Sequence, residues 1–183
     1  CSESTFDGCL TFVIGENGMD LALKFGLPAK QIIKTGNWLG PLLVAAADNG
    51  VKKLLLFGYH GKLIKLAGGI FHTHHHLADG RLETLISLAF REGISFDLIE
   101  LISKSTSVEN ALLAFDATSP EVVASIWGRM AKEIEIKSGS YVNRYLSSSM
   151  EIGSVLFDRK RQIRWAGLKG LKQINSLGLI LKS

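Results

Sequence analysis

Three short apolar runs, each followed by a glycine-bearing break and then a helical pattern, limit what this chain can fold into. They are LTFVI at Leu10–Ile14, QIIK at Gln31–Lys34 and KLLLF at Lys53–Phe57. Runs this short, apolar and bounded by turn formers read as strands. Between the first two, Met19–Phe25 has helical spacing, with Asn17 placed to cap it and Gly26 and Pro28 to stop it. Between the second and third, Trp38–Asp48 is rich in Leu and Ala; Pro41 sits in its first turn and Asn49-Gly50 ends it. Strands alternating with helices predict a parallel sheet with right-handed crossovers. In such a sheet the strand-to-helix loops share the carboxyl edge, where ligands bind. The loops Gly15–Gly18, Thr35–Trp38 and Gly58–Lys62 are therefore expected on one rim.

Beyond the third strand the pattern turns helical: a short helix at Lys62–Ala67, then Asp79–Arg91, Phe96–Ile102, Val108–Phe115, Pro120–Lys132 and Ser140–Leu146. Ser107 and Ser119 stand where caps are favoured. Glu151–Phe157 and Arg161–Trp165, joined by Asp158-Arg159-Lys160, read as a late strand pair. Gly167–Ser183 carries mixed signals and no placeable element. The expected fold class is α/β: a Rossmann-like, mostly parallel sheet with crossover helices, a helical second half and a late β-hairpin, as one domain over residues 1–183.

Composition narrows the function classes. With 183 residues and 46% apolar content the chain can bury a real core. No apolar run reaches the ~18 residues of a membrane span. The chain opens polar, without a signal-peptide pattern, and is expected in the cytoplasm. It lacks an initiator Met, which points to a trimmed chain or to one domain of a longer one. Cys1 and Cys9 alone make neither a disulfide framework nor a zinc pattern. Glu151–Ser183 holds seven Lys and Arg against two acids. No aromatic ladder accompanies that charge, so a solvated basic end is expected rather than a nucleic-acid surface.

The chemistry concentrates between Gly58 and Glu83. All five histidines (His60, His72, His74, His75, His76) fall there, with Lys62, Lys65, Asp79, Arg81 and Glu83. The His72–His76 tract invites a metal reading, but no cysteine lies near and the carboxylate spacing is wrong for a helical ligand set. Imidazole donors and acceptors near neutral pH are the alternative; a solvated tract is the plainer one. Gly15-Glu16-Asn17-Gly18 follows a strand and opens a helix, as ligand-binding turns do, yet it is neither a dinucleotide fingerprint nor a P-loop. A plain tight turn reads equally well. Asn37 is placed as a helix cap beside a core Trp38, or else at the ligand edge.

The run HGKLIKLAGGIFHTH at His60–His74, followed by ADGRLE at Ala78–Glu83, resembles the central signature of the CbiD family, the cobalt-precorrin-5B (carbon-1) methyltransferases of cobalamin biosynthesis. GNWLG at Gly36–Gly40 and the apolar strand before Gly58 stand in the family's order. The likeness is densest over residues 10–90. It corresponds to the family's C-terminal half; members are about twice this length. Where the family carries Asn and Ser around Thr-His, this chain has His72 and His75.

The resemblance implies S-adenosyl-L-methionine as methyl donor and the tetrapyrrole cobalt-precorrin-5B as acceptor, with no protein metal, nucleic acid or membrane partner; a homo-oligomer is compatible with it. On that reading Gly15, Glu16, Asn17, Gly18, Gly36, Asn37 and Gly58 hold the donor. Gly61, Lys62, Lys65, Thr73, Asp79 and Arg81 hold the acceptor, and His60 and His74 assist proton movement. Methyl transfer from a sulfonium needs alignment above all, and cations suit a polycarboxylate. The alternative is a non-catalytic α/β module that captures a transition metal or metallo-tetrapyrrole through its histidine loop.

Overall fold

A computed structural model describes residues 6–15, 18–74, 76–116 and 119–181. In chain order the elements are β1 (Cys9–Ile14), α1 (Met19–Phe25), β2 (Ile32–Thr35), α2 (Leu39–Asp48), β3 (Lys53–Tyr59), α3 (His60–Ala67), α4 (Arg81–Arg91), α5 (Phe96–Lys104), α6 (Val108–Asp116), α7 (Pro120–Val142), β4 (Glu151–Phe157), β5 (Ile163–Ala166) and α8 (Leu168–Ser176). One five-stranded sheet runs in the order β2-β1-β3-β4-β5. The first four strands are parallel, and β5 is antiparallel to β4. The expected α/β class, with its mostly parallel sheet and late hairpin, is what the chain adopts.

Parallel strands are covered on both faces, which is why β3 reads as an unbroken apolar run over Leu54–Phe57. Alternate residues go to opposite layers. Phe12, Ile14, Leu54, Leu56, Ile152 and Leu156 pack against α2, α3, α4 and α7. Val13, Leu55, Phe57, Val155 and Phe157 face the thinner layer made by α1 and α8. The chain steps from β1 outward to β2, then back across to β3. That reversal puts a topological switch point between β1 and β3, where a crevice opens at the carboxyl ends.

Several boundaries differ from the sequence reading. β3 does not stop at Phe57: Gly58 pairs with Ile14 and Leu156 inside the sheet, and α3 begins at once at His60. There is no Gly58–Lys62 loop, because continued pairing outweighs the glycine's weak strand preference. The two helices expected at 120–132 and 140–146 are one helix of 23 residues, continuous through Gly139; packing overrides the ~1 kcal/mol propensity cost of one glycine. β4 is no mere hairpin arm but lies between β3 and β5. The unplaced end forms α8, and Ser107 caps α6, its Oγ accepting from the Asn110 N–H at 3.2 Å. The expected cap Asn17 lies outside the described residues; Gly18 holds the N-cap position of α1.

Candidate functional site

At the switch point a cavity of about 560 Å³ opens over the carboxyl ends of β1, β3 and β4. That volume is within the ~300–1,000 Å³ typical of small-molecule sites. Ile14 and Gly15 reach it from β1, Tyr59 from β3, Lys62 from the first turn of α3, and Arg81 from the start of α4. Ser107 and Glu109 come from the start of α6, and Phe157–Arg159 with Arg161 from the end of β4 and its hairpin. Four cationic side chains thus face two carboxylates, Glu109 and Asp158. Gly15 has φ 89°, and a Cβ there would stand 2.9 Å from the Lys62 ammonium. The absent side chain is what lets Lys62 lie across the end of β1.

The hairpin is built for the rim. Asp158 accepts the Gln162 N–H at 2.9 Å on Oδ1, and its carbonyl takes the Arg161 N–H at 2.9 Å. This tight turn forces Arg161 to φ 64°, a left-handed conformation that costs a non-glycine residue about 1 kcal/mol. Arg161 also pairs with Asp20 of α1.

Beneath the cavity lies a polar cluster. Glu109 Oε2 accepts from the Tyr59 hydroxyl at 3.3 Å and meets His60 Nε2 at 2.6 Å. His60 is 1% exposed and Glu109 8%. Burial, and then the Glu109 charge, push the Tyr59 phenol up to about 12. Burial pushes the His60 pKa down, although Glu109 and Asp158 pull the other way. His60 is therefore a neutral imidazole at neutral pH, and its Nε2 carries the proton shared with Glu109.

The histidine loop is tied to the β2–α2 connection. The Thr73 N–H donates to the Asn37 carbonyl at 2.9 Å, and the Thr73 hydroxyl to Asn37 Oδ1 at 2.9 Å. Trp38 and His72 form an antiparallel bridge, with rings 4.4 Å apart and edge to face. Lys65 closes the loop from below: it is 2% exposed, and its ammonium donates to the carbonyls of Thr73 (3.2 Å) and Ala78 (2.5 Å). Burial holds its pKa below the usual lysine value. Replacing Lys65 with Met keeps the apolar stem but strands both carbonyls. Amide exchange at Thr73 and Leu77 is expected to speed up about tenfold through local opening, with overall stability within ~2 kcal/mol of the parent. Unchanged exchange would refute the anchoring role.

The structure brings Gly15, Lys62 and Arg81 together on the cavity wall. It sends other expected residues elsewhere. Gly58 is buried in β3, where a Cβ would stand 3.2 Å from Ile14 and Leu63. Gly61 makes room for the Tyr59 ring, and Gly18 for Val13. Lys65 points into the protein rather than at a ligand. Asp79 is exposed and locked to Arg81 by two hydrogen bonds of 2.5 and 2.8 Å, which hold its carboxyl at about 2. His60 lies behind Glu109, off the cavity wall. Gly36 is exposed, while Asn37, Thr73 and half-buried His74 sit at the carboxyl end of β2, beside the cavity rather than in it. Trp38 is no core residue: it is 66% exposed. Asn37 makes no cap, since its side chain is spent on Thr73. Glu16 and Asn17 lie outside the described residues, as does His75. Among the described residues no three His, Cys, Asp or Glu side chains gather into a metal site, and no helix is long and apolar enough to cross a membrane. Sequence reading missed Tyr59, Ser107, Glu109, Asp158, Arg159 and Arg161; only the charged turn closing a buried strand gave a local hint.

The profile of the CbiD C-terminal domain matches residues 72–167, more than half of the chain. The chain belongs to the CbiD family. Over 182 residues it is 86% identical to a CbiD relative from Prochlorococcus marinus (strain NATL2A), named cobalt-precorrin-5B C(1)-methyltransferase, covering 100% of this chain and 48% of that protein. The same identity and coverage hold for the protein of that name from strain NATL1A. Another of that name, from strain MIT 9313, is 56% identical over 178 residues, covering 97% of this chain and 46% of that protein. The chain spans about half the length of the curated relatives it matches. No solved structure matches this CbiD chain. The matched CbiD span contains Arg81, Ser107, Glu109, Phe157–Arg159 and Arg161, most of the cavity wall.

Proposed function

We propose that this chain forms the part of a cobalt-precorrin-5B C(1)-methyltransferase that holds the reacting groups at the β1/β3 crevice, with S-adenosyl-L-methionine as methyl donor, in the cytoplasm. The observation that carries the reading is the cationic cavity, most of whose wall falls in the CbiD-matched span. Lys62, Arg81, Arg159 and Arg161 suit the acid side chains of a tetrapyrrole, pairing with them by charge-assisted hydrogen bonds. Asp158 suits the opposite task, facing the cationic sulfonium. The left-handed Gly15 leaves room for the Lys62 ammonium on the floor, where a side chain would displace it. These residues fit the donor without a phosphate cradle, which S-adenosyl-L-methionine does not need. When bound, the donor supplies an electrophilic methyl group; the protein's part is to align it with the ring carbon and exclude water.

Calorimetry tests this on a preparation spanning the relatives' full length. S-adenosylhomocysteine is expected to bind, and Lys62→Met to weaken the tetrapyrrole about tenfold or more, as loss of a charge-assisted bond does. No heat with either compound would refute the reading.

A further inference from the structure

The four cations account for an anionic ligand and Asp158 for a cationic sulfonium, but neither accounts for Glu109, a second carboxylate kept in the wall. We propose that Glu109 is the proton acceptor of the methyl transfer, with Tyr59 and His60 as the residues that position it; this rests on the function proposed above. Glu109 stands in the first turn of α6, on the wall of the main cavity. Both of its donors, the Tyr59 hydroxyl and His60 Nε2, converge on the same oxygen, Oε2. Among the described residues Oε1 takes no hydrogen bond, and it is the oxygen left to receive a proton.

The imidazole behind Glu109 sharpens this. His60 Nδ1 is buried and unpartnered among the described residues. A proton there would find no acceptor, so the proton sits on Nε2 and the ring is neutral. Glu109 is thus oriented by two neutral donors rather than paired with a buried cation. The charged groups around the pair are Asp158 and Arg164 on the His60 side, and Arg81 and Arg159 on the Tyr59 side.

The chemistry requires such a group. A ring π pair forms the new carbon–carbon bond to the methyl group, and the methyl–sulfur bond breaks with its pair left on sulfur. The sulfonium becomes a neutral thioether, and the ring carries the positive charge until an adjacent N–H or C–H gives up its proton. Glu109 takes that proton, becomes a carboxylic acid, and releases it to water at the cavity mouth.

The test is single-turnover transfer of a labelled methyl group to cobalt-precorrin-5B by a protein spanning the relatives' full length. Glu109→Gln keeps an acceptor for Tyr59 and His60 but cannot take a proton. It is expected to bind S-adenosylhomocysteine within threefold of the parent, to transfer at least ~100-fold more slowly, and to lose the acid limb of the rate–pH profile. Glu109→Asp is expected to recover part of the rate and the limb; His60→Gln to shift the limb without abolishing it. Transfer by Glu109→Gln within threefold of the parent, or with the limb intact, overturns the assignment alone. Loss of folding, by circular dichroism, in both Glu109 variants overturns it as well, since the residue is then structural. No transfer by a parent that binds the donor overturns the function first and this assignment with it.

Discussion

Replacing Glu135 with Ala is expected to lower the thermal unfolding midpoint by about 6–12 °C. Glu135 is 5% exposed, inside α7. Its Oε1 accepts the backbone N–H groups of Ser154 at 3.1 Å and Gly170 at 2.9 Å, and its Oε2 that of Lys169 at 3.2 Å. One carboxylate therefore joins α7, β4 and the first turn of α8, where the helix dipole also favours negative charge. Truncation strands three buried donors, each costing ~1–3 kcal/mol. Water entering the hole recovers part, leaving about 3 kcal/mol, and a chain of this size shifts ~2–4 °C per kcal/mol. Burial pushes the Glu135 carboxyl above its ordinary 4.5, against the three hydrogen bonds. The folded state thus holds this proton more readily than the unfolded chain. The group's contribution is full below pH 4.5 and is lost as pH rises through the folded value. Glu135→Gln should accordingly cost less than half as much as Ala at pH 7, and its deficit should grow as pH falls toward 4.5. Calorimetric scans at both pH values decide it; an Ala variant within 2 °C of the parent would sink the idea.

Gly170→Ala is the second large effect. A Cβ on Gly170 would fall well inside contact of the Ser154 carbonyl oxygen and stand 2.9 Å from Ser154 C and N. From the other side, a Cβ on Gly153 would stand 2.7 Å from Gly170 Cα and N. Both obstacles are backbone, so no rotamer change relieves them, and α8 must lift off β4. Overpacking of this kind costs ~3 kcal/mol or more. Gly139→Ala is the control: a Cβ there meets nothing within 4 Å, and it should gain ~0.5–1 kcal/mol. Urea midpoints of the two variants should move in opposite directions; a Gly170→Ala midpoint equal to the parent's would refute the interlock.

What sequence could show was local. The βα units were legible because strand and helix periods are written in adjacent residues, and the rim followed from parallel topology. Lys62 and Arg81 were legible because they sit in a dense charged stretch next to a strand end. Glu109 was not: its partner His60 lies 49 positions away, and nothing in its own helix marks it. Lys65 misled for the converse reason. A lysine reads as a surface cation, and only the folded loop supplies the two carbonyls that let it turn inward. Trp38 misled because hydrophobicity predicts burial, while its neighbour His72 holds it edge-on at the surface. Gly58 failed because glycine breaks a strand only where the sheet does not need the next pair.

The place of β4 beside β3 bears on how the molecule is assembled. Lys53 is in register with Glu151, so the sheet's middle seam joins segments about a hundred residues apart, and closing so long a loop is slow. During synthesis the first three strands emerge long before the fourth can reach them, and one flank of β3 waits as an unprotected edge. The wall contributed by Phe157–Arg161 exists only after that seam closes. Ligand affinity is therefore acquired in the last steps of folding, and a nascent chain that stalls earlier offers a sticky edge and no receptor.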